Sequence, residues 1–226
     1  MKNNERISVI IPTLNEEKNL PKVLEKLPDY VDEVLIVDGH SKDKTVEVAK
    51  KFGARVVYDD VGKGSALRVG MKEVTGDIII MMDADCSHIP SEIGLLVAGI
   101  QSGFDICMGS RFIQGGGTED MTLLRKFGNK FFVSLVNLLW GTNYSDLCYG
   151  YRSLRKDCID KLNLESDGFG VETELSIKAA KKKLRVLEVP SYEKARASGE
   201  GKLRTFHDGW LIFSRITKEF LSGDTG

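Results

Sequence analysis

The run Asp77-Ile78-Ile79-Ile80-Met81-Met82 is followed at once by Asp83-Ala84-Asp85. Its apolar stretch is too short for an ordinary helix and shows no alternation. It therefore reads as a strand buried on both faces, over Asp77–Met82. Such a strand belongs in the middle of a parallel sheet covered by helices, which requires helical crossovers. The flanking sequence supplies them. Ile7–Pro12, Glu33–Val37, Ala54–Tyr58 and Phe104–Met108 have the composition and length of strands. Between them lie helical patterns. Leu20, Val23, Leu24 and Leu27 form an apolar stripe behind Asn15, a candidate cap, and Asp43–Phe52 follows Ser41 or Asp43 as cap and stops at Gly53. Lys63–Val74 is stopped by Gly76, and Ser91–Ile100 is the fourth. The expected fold class is α/β, with a Rossmann-like, mostly parallel central sheet and right-handed crossovers.

Beyond Gly109 the pattern changes. Gln114–Asp120 is a glycine-rich loop, and Thr122–Trp140 is a long amphipathic helix. Asp167–Lys183 is a further helix, Arg185–Val189 a late strand closed by Pro190, Ala195–Arg204 a basic segment, and Gly209–Leu221 a terminal amphipathic helix. With 226 residues and no repeat or linker, one domain is expected over 1–226. Its parts are about 1–110, about 111–205, and a C-terminal helix over 206–226. The formal charge of −1 excludes a global basic field for nucleic acid. Cys86, Cys107, Cys148 and Cys158 lack metal-site spacing and sit in or beside apolar runs, as buried reduced thiols do. No signal-peptide core precedes Ile7, and no stretch reaches the roughly 18 apolar residues of a membrane span. The expected location is cytoplasmic. Phe127, Phe131, Phe132, Leu138 and Trp140, with Trp210, Phe213 and Phe220, exceed what core packing needs and suit peripheral contact with the cytoplasmic membrane face. Lys181-Lys182-Lys183 reads as a solvated helix end.

Ligands in open α/β sheets bind beyond the carboxyl ends of the strands. Three strand ends here are polar: Pro12-Thr13-Leu14-Asn15-Glu16, Asp38-Gly39-His40-Ser41 and Asp83-Ala84-Asp85. On an extended backbone Asp83 and Asp85 point to one side, where two carboxylates repel unless a cation lies between them. Mg²⁺ or Mn²⁺ suits that donor set and can be shared with substrate phosphates. Asp38 can accept from a nucleobase or ribose. Gly62-Lys63-Gly64 opens a helix whose N-terminus favours an anion. There is no Walker A spacing and no G-x-G-x-x-G after the first strand.

Taken in order, VIIPTLNEEKNL, IVDGHSKDKT, GKGSALRVG, GDIIIMMDADCSHIP and MGSRF resemble glycosyltransferase family 2, whose members have the GT-A fold and invert the anomeric centre. SDLCYGYRSL, GFGVETEL and VPSYEKARASGEGKL resemble its polyprenyl-phosphate branch, the dolichyl-phosphate mannose synthases and their relatives. The resemblance spans residues 6 to 205. It implies a hexosyltransferase moving sugar from a GDP- or UDP-hexose to a polyprenyl phosphate with Mg²⁺ or Mn²⁺. Residues 1–110 would then hold the nucleotide sugar and 111–205 the acceptor. Pro12, Thr13, Asn15, Glu16, Asp38, Lys63, Asp83, Ala84 and Asp85 would hold the nucleotide sugar, and Asp83 and Asp85 the metal. Arg111, Arg125, Asn129, Arg196 and Lys202 would hold the acceptor phosphate, beside an acceptor loop over Ile113–Thr122. Asp83, Asp85, Arg111 and Asp146 form the implied catalytic set.

Two positions depart from the family pattern. Gly39 stands where a second aspartate often follows Asp38, and Ser87 stands where a metal-holding glutamine is expected. A phosphate acceptor is already anionic and needs little general base. A hydroxyl acceptor on a glycan, lipid or protein is the alternative, with Asp146 ahead of Glu172 as base, since Glu172 and Glu174 read as an exposed helix face. A nucleotide-sugar-binding regulator without catalysis is the non-enzymatic alternative. The expected partners are the nucleotide sugar, the polyprenyl phosphate, a membrane surface and a second copy of the chain.

Overall fold

The structure is a computed structural model and describes residues 5–199 and 204–223. In chain order the elements are β1 (Ile7–Thr13), α1 (Leu20–Leu24), β2 (Glu33–Asp38), α2 (Thr45–Lys51), β3 (Arg55–Tyr58), α3 (Lys63–Glu73), β4 (Ile78–Met81), α4 (Ile93–Gln101) and β5 (Ile106–Ser110). They continue with β6 (Gly117–Thr118), α5 (Leu123–Trp140), β7 (Arg152–Arg155), α6 (Ile159–Leu162), α7 (Val171–Lys181), β8 (Val186–Pro190), β9 (Tyr192–Glu193) and α8 (Thr205–Leu221). Seven strands form one sheet in the order β3-β2-β1-β4-β7-β5-β8, and β6 pairs with β9 in a two-stranded ribbon. Neighbours in the large sheet are parallel except at β7, which is antiparallel to both β4 and β5.

The all-apolar β4 sits where its composition requires, in the centre, with every residue buried. Its alternate side chains feed two cores. Ile79 and Met81 pack with residues of α3, α5, α7 and α8, while Ile78 and Ile80 pack with residues of α1 and α4. Burying a strand on both faces in this way removes about 1.5–3 kcal/mol of exposure cost per aliphatic side chain.

Strand β7 is absent from the sequence pattern, because Arg-Ser-Leu-Arg reads as polar. Arg152 is nevertheless fully buried. Its guanidinium donates to the carbonyls of Leu147, Tyr149 and Glu172 and to Ser176 Oγ, at 2.8–2.9 Å. The charge is solvated by backbone dipoles gathered from two chain segments, which the sequence alone does not display.

Three local expectations need correction. Asn15 does not cap α1. It takes a left-handed φ of 58° and ties the first strand end to the second, donating from N to Ser41 Oγ and accepting at Oδ1 from Lys42 N. Ser41 does not cap α2 either, because its N and Oγ donate to Asp38; Asp43 Oδ1 accepts from Thr45 N at the start of that helix. Glu172 and Glu174 are buried rather than on an exposed face. Glu174 accepts from the backbone N of Glu165 and Ser166 and pairs with Lys178 at 2.7 Å and Arg215 at 3.3 Å. This joins α7 to α8. Lys181 extends the seam to Glu219 at 3.2 Å, so it is not a solvated helix end.

The glycines at the start of α3 serve chain packing. Gly64 N and Ser65 N donate to Asp167 O, so helix-terminal donors expected for an anion are already taken. A Cβ on Gly64 would lie 2.3 Å from Ser166 O, and one on Gly62 would lie 2.4 Å from Asp167 O. We expect Gly64→Ala to cost about 2 kcal/mol through overpacking. Urea unfolding with an unchanged m-value and a lowered midpoint is the check, and a wild-type midpoint would refute the close approach.

Candidate active site

A cavity of about 590 Å³ opens beyond the carboxyl ends of β1, β2 and β4 and extends between α5 and α8. Each region of its wall comes from a different element. Pro12, Thr13 and Glu16 come from the end of β1; Asp83, Ala84 and Asp85 follow β4; Lys63 opens α3. Arg125 and Asn129 lie one turn apart on α5, and Arg196 comes from the late strap.

The acidic pair is neutralised by two cations. Lys63 Nζ lies 2.8 Å from Asp83 Oδ1 and 3.0 Å from Glu172 Oε1. Arg196 bridges Asp85, at 3.1 Å, and Glu16. Burial opposes the Lys63 charge, but Asp83 and Glu172 outweigh it and hold its pKa well above the ordinary lysine value. Burial likewise opposes ionisation of Asp83, yet the neighbouring cations, Lys63 foremost, leave its pKa below the usual carboxylate range. The same opposition is resolved in favour of charge at Arg196, through Glu16 and Asp85. Ser87 donates from both N and Oγ to Asp85 Oδ1, at 3.0 and 2.6 Å, and so orients that carboxylate.

His88 supports Asp83 from behind. It is buried, stacked on Tyr151 and edge-on to Tyr149. Its Nδ1 accepts from Asp83 N at 3.0 Å, which places the proton of the neutral ring on Nε2, 3.8 Å from Asp83 Oδ2. Burial pushes its pKa down despite the carboxylates nearby.

Asp83 and Asp85 are hard oxygen donors facing one cavity, a set that suits Mg²⁺ or Mn²⁺ shared with substrate phosphates. Among the described residues no group of three or more His, Cys, Asp or Glu side chains forms a closed metal cage.

Several expected residues lie elsewhere or are otherwise engaged. Asp38 is fully buried and accepts from Thr13 Oγ1, Ser41 N and Ser41 Oγ, so it locks strand ends instead of lining the cavity. Asn15 is also outside the lining. Asp146 is buried and off the cavity, which removes it as the base. It holds Arg111 in a fork, Nε to Oδ2 at 2.7 Å and Nη2 to Oδ1 at 2.9 Å. Arg111 Nη1 pairs with Glu193 at 3.0 Å, and its guanidinium lies 4.6 Å from the Tyr149 ring centre. The two carboxylates overcome burial and raise the Arg111 pKa. With its charge committed twice, Arg111 is a buttress of the cavity wall rather than a ready phosphate ligand. Arg125 and Asn129 do face the cavity. Arg125 Nε donates to Thr205 Oγ1 on α8, and Asn129 Oδ1 accepts from Leu147 N and Cys148 N. Lys202 lies outside the described residues.

Glu172, Asp59 and Glu193 also line the cavity, and Asp59 stands in no motif of the sequence. Glu172 is 3% exposed but lines the cavity, directed there by the first turn of α7. Asp59 follows β3, so the strand-end rule that found Asp83 also covers it. All four cysteines are free, with Cys86 and Cys148 only partly buried and Cys148 on the cavity wall.

The sheet order, the single antiparallel insertion and the acidic strand end together define the GT-A glycosyltransferase architecture. A solved neighbour is glucosyl-3-phosphoglycerate synthase of Mycobacterium tuberculosis, in complex with Mn²⁺, UDP and glucosyl-3-phosphoglycerate. It superposes with a TM-score of 0.76 at 22% identity, over 99% of this chain and 82% of that one. Residues 8–162 match the glycosyl transferase family 2 description, and the chain belongs to that family. It is 35% identical to the dolichol-phosphate mannosyltransferase of Pyrococcus furiosus over 88% of its own length, and spans 59% of that relative's length. It is 31% identical to the dolichyl-phosphate hexose transferase of Haloferax volcanii, over 94% of this chain and 92% of the relative. The undecaprenyl-phosphate mannosyltransferase of Micrococcus luteus is 32% identical, over 88% and 87%.

The Arg111–Asp146 fork is testable without substrate. Removing one partner of a buried pair leaves an uncompensated charge, so Asp146→Ala should cost roughly 3 kcal/mol. In a double-mutant cycle, Arg111→Met with Asp146→Ala should lose clearly less than the sum of the single losses; strict additivity would overturn the pairing.

Proposed function

We propose that this chain transfers a hexose from a GDP- or UDP-linked donor to a polyprenyl phosphate, with inversion. The observation that carries this reading is the composition of one cavity. Its inner end holds Asp83, Asp85 and Lys63; its outer part holds Arg125 and Asn129 and continues onto Leu124, Phe132, Phe206 and Ile212. An anionic headgroup on an apolar chain matches that sequence of surfaces. The names of the relatives supply independent support for the acceptor, and the Mn²⁺ and UDP of the solved neighbour support the donor.

Asp83 and Asp85 would hold Mg²⁺ or Mn²⁺, which when bound supplies positive charge at the donor diphosphate. The chain's own groups do the remainder. Lys63 is held at Asp83 by Glu172, already desolvated and charged, and so is preorganised toward a developing phosphate charge. Ser87 and His88 fix the two aspartates. Arg125 and Asn129 position the acceptor phosphate, whose oxygen attacks without a general base. A hydroxyl acceptor would require a base, and Glu172, on the cavity wall where Asp146 is not, would serve.

Membrane contact belongs to the same reading. No described helix is long and apolar enough to cross a membrane. Yet Phe127 and Leu138 on α5 are 72% and 81% exposed, and Trp210 on α8 is 68% exposed. Phe127 and Trp210 adjoin the cavity-lining Gly128 and Gly209 in the chain, and these exposed side chains would lie at a bilayer surface. Trp140 has another role: it is partly buried and packs edge-on to Phe220.

Incubation with UDP- and GDP-hexoses, Mg²⁺ or Mn²⁺ and a short-chain polyprenyl phosphate should yield the glycosylated lipid. Asp83→Ala or Asp85→Ala should lower kcat by roughly 100-fold or more. Transfer to hydroxyl acceptors alone would sink the phosphate reading. In vesicle pelleting, Phe127→Ser with Trp210→Ser should release the protein to the supernatant, and pelleting equal to wild type would remove the membrane contact.

A further inference from the structure

Glycines within the described helices fall into two sets. Gly64 and Gly70 on α3 and Gly99 on α4 are demanded by close packing, because a Cβ would collide with Ser166 O, Ile10 Cγ2 and Cys107 Sγ respectively. Gly94, on α4, would still meet Tyr30 Oη at 3.4 Å. Gly128 on α5 and Gly209 on α8 stand apart: a Cβ on either meets no atom within 4 Å. Neither has a positive φ, so no backbone turn calls for glycine there. Inside a helix, glycine is less favourable than alanine because it loses more backbone entropy. These two positions carry that disadvantage with no protein neighbour to require it.

Both glycines line the part of the cavity between α5 and α8. Gly128 lies one turn after Leu124 and one turn before Phe132, and adjoins Asn129. Gly209 lies one turn after Thr205 and three residues before Ile212. Those neighbours line the cavity as well, so each glycine is a gap in the face its helix presents. Arg125 Nε donates to Thr205 Oγ1 at 3.3 Å and ties the two helices within one turn of either gap. Asp208, beside Gly209, has both carboxylate oxygens engaged, by Arg204 N and by His207 Nδ1. The gaps therefore suit an uncharged, bulky group attached directly behind an anion.

We propose that Gly128 and Gly209 determine acceptor specificity, by keeping the passage behind the acceptor phosphate wide enough for a methyl-branched isoprenoid chain. The inference rests on the polyprenyl-phosphate reading above. A Cβ and a branch methyl are the same group, so alanine at either position takes the room of one branch. A linear alkyl chain has no branch to place and is spared. Leu124, Phe132 and Ile212 attract either kind of chain, and the glycines decide only the width. Open helix glycines of this kind give up stability for a function.

Thermal unfolding and acceptor kinetics test this together. Gly128→Ala and Gly209→Ala should each raise the thermal midpoint by about 2–4 °C, since a better helix former enters open space. The double variant should raise KM for a short-chain polyprenyl phosphate at least about fivefold, as overpacking of a fitted passage predicts. A linear alkyl phosphate of equal carbon count, read as a competitor, should keep its inhibition constant within about twofold of wild type. A lowered midpoint in the single variants shows that the fold itself needs the glycines and overturns the proposal. So does an unchanged KM, an equal loss for branched and linear phosphates, or a wild-type protein that the linear phosphate does not inhibit. Each of those results leaves the transferase reading standing where the wild type glycosylates the polyprenyl phosphate. A wild type that transfers to no polyprenyl phosphate overturns both.

Discussion

Lys63 connects the parts of this protein that matter most. Its ammonium sits between Asp83, which ends the central strand, and Glu172, which opens α7. A lysine so enclosed stays charged only because two carboxylates offset its desolvation. The converse also holds: Asp83 and Glu172 are tolerated in a partly buried wall because Lys63 lies between them. Gly150 keeps this knot tight. A side chain there would meet Lys63 Nζ at 3.0 Å and Glu172 Oε1 at 3.2 Å. Floor loop, sheet and two helices are thus fixed around one cation.

The same principle recurs around the cavity. Arg196 neutralises Asp85 and Glu16, and Arg111 neutralises Asp146 and Glu193. Each cation joins residues from distant parts of the chain. The strap that carries Arg196 also follows the turn after β4, with Lys194 N donating to Ser87 O and Ala197 N to Asp85 O. Charge pairing therefore organises the site before any ligand arrives. It also separates two jobs that arginines share in sequence: Arg111 stiffens a wall, while Arg125 faces the space where an acceptor would lie.

The acidic strand ends divide in the same way. Asp38 is the last residue of β2 and Asp83 lies two residues past β4, yet Asp38 is wholly absorbed in holding β1 to β2 and Asp83 faces the cavity. The difference comes from neighbours. Thr13 and Ser41 lie within reach of Asp38, whereas Asp83 meets a lysine on the cavity side.

What the sequence determined by itself is local. Five apolar residues before Asp83 required a buried central strand, the alternation with helical stripes required parallel pairing, and the strand-end rule put Asp83, Asp85 and Lys63 at a common edge. Those signals act within one strand or helix and its neighbours, so they survive in one dimension. Tertiary structure decided everything that depended on long-range pairing. It inserted β7 antiparallel between β4 and β5, because carbonyls from two other segments could solvate Arg152. It withdrew Asp146 into the wall by pairing it with Arg111, thirty-five residues earlier. It brought Glu172 to Lys63 across more than a hundred residues. Whether a charged side chain faces a ligand or a partner is settled by which opposite charge folding places beside it, and no spacing along the chain encodes that.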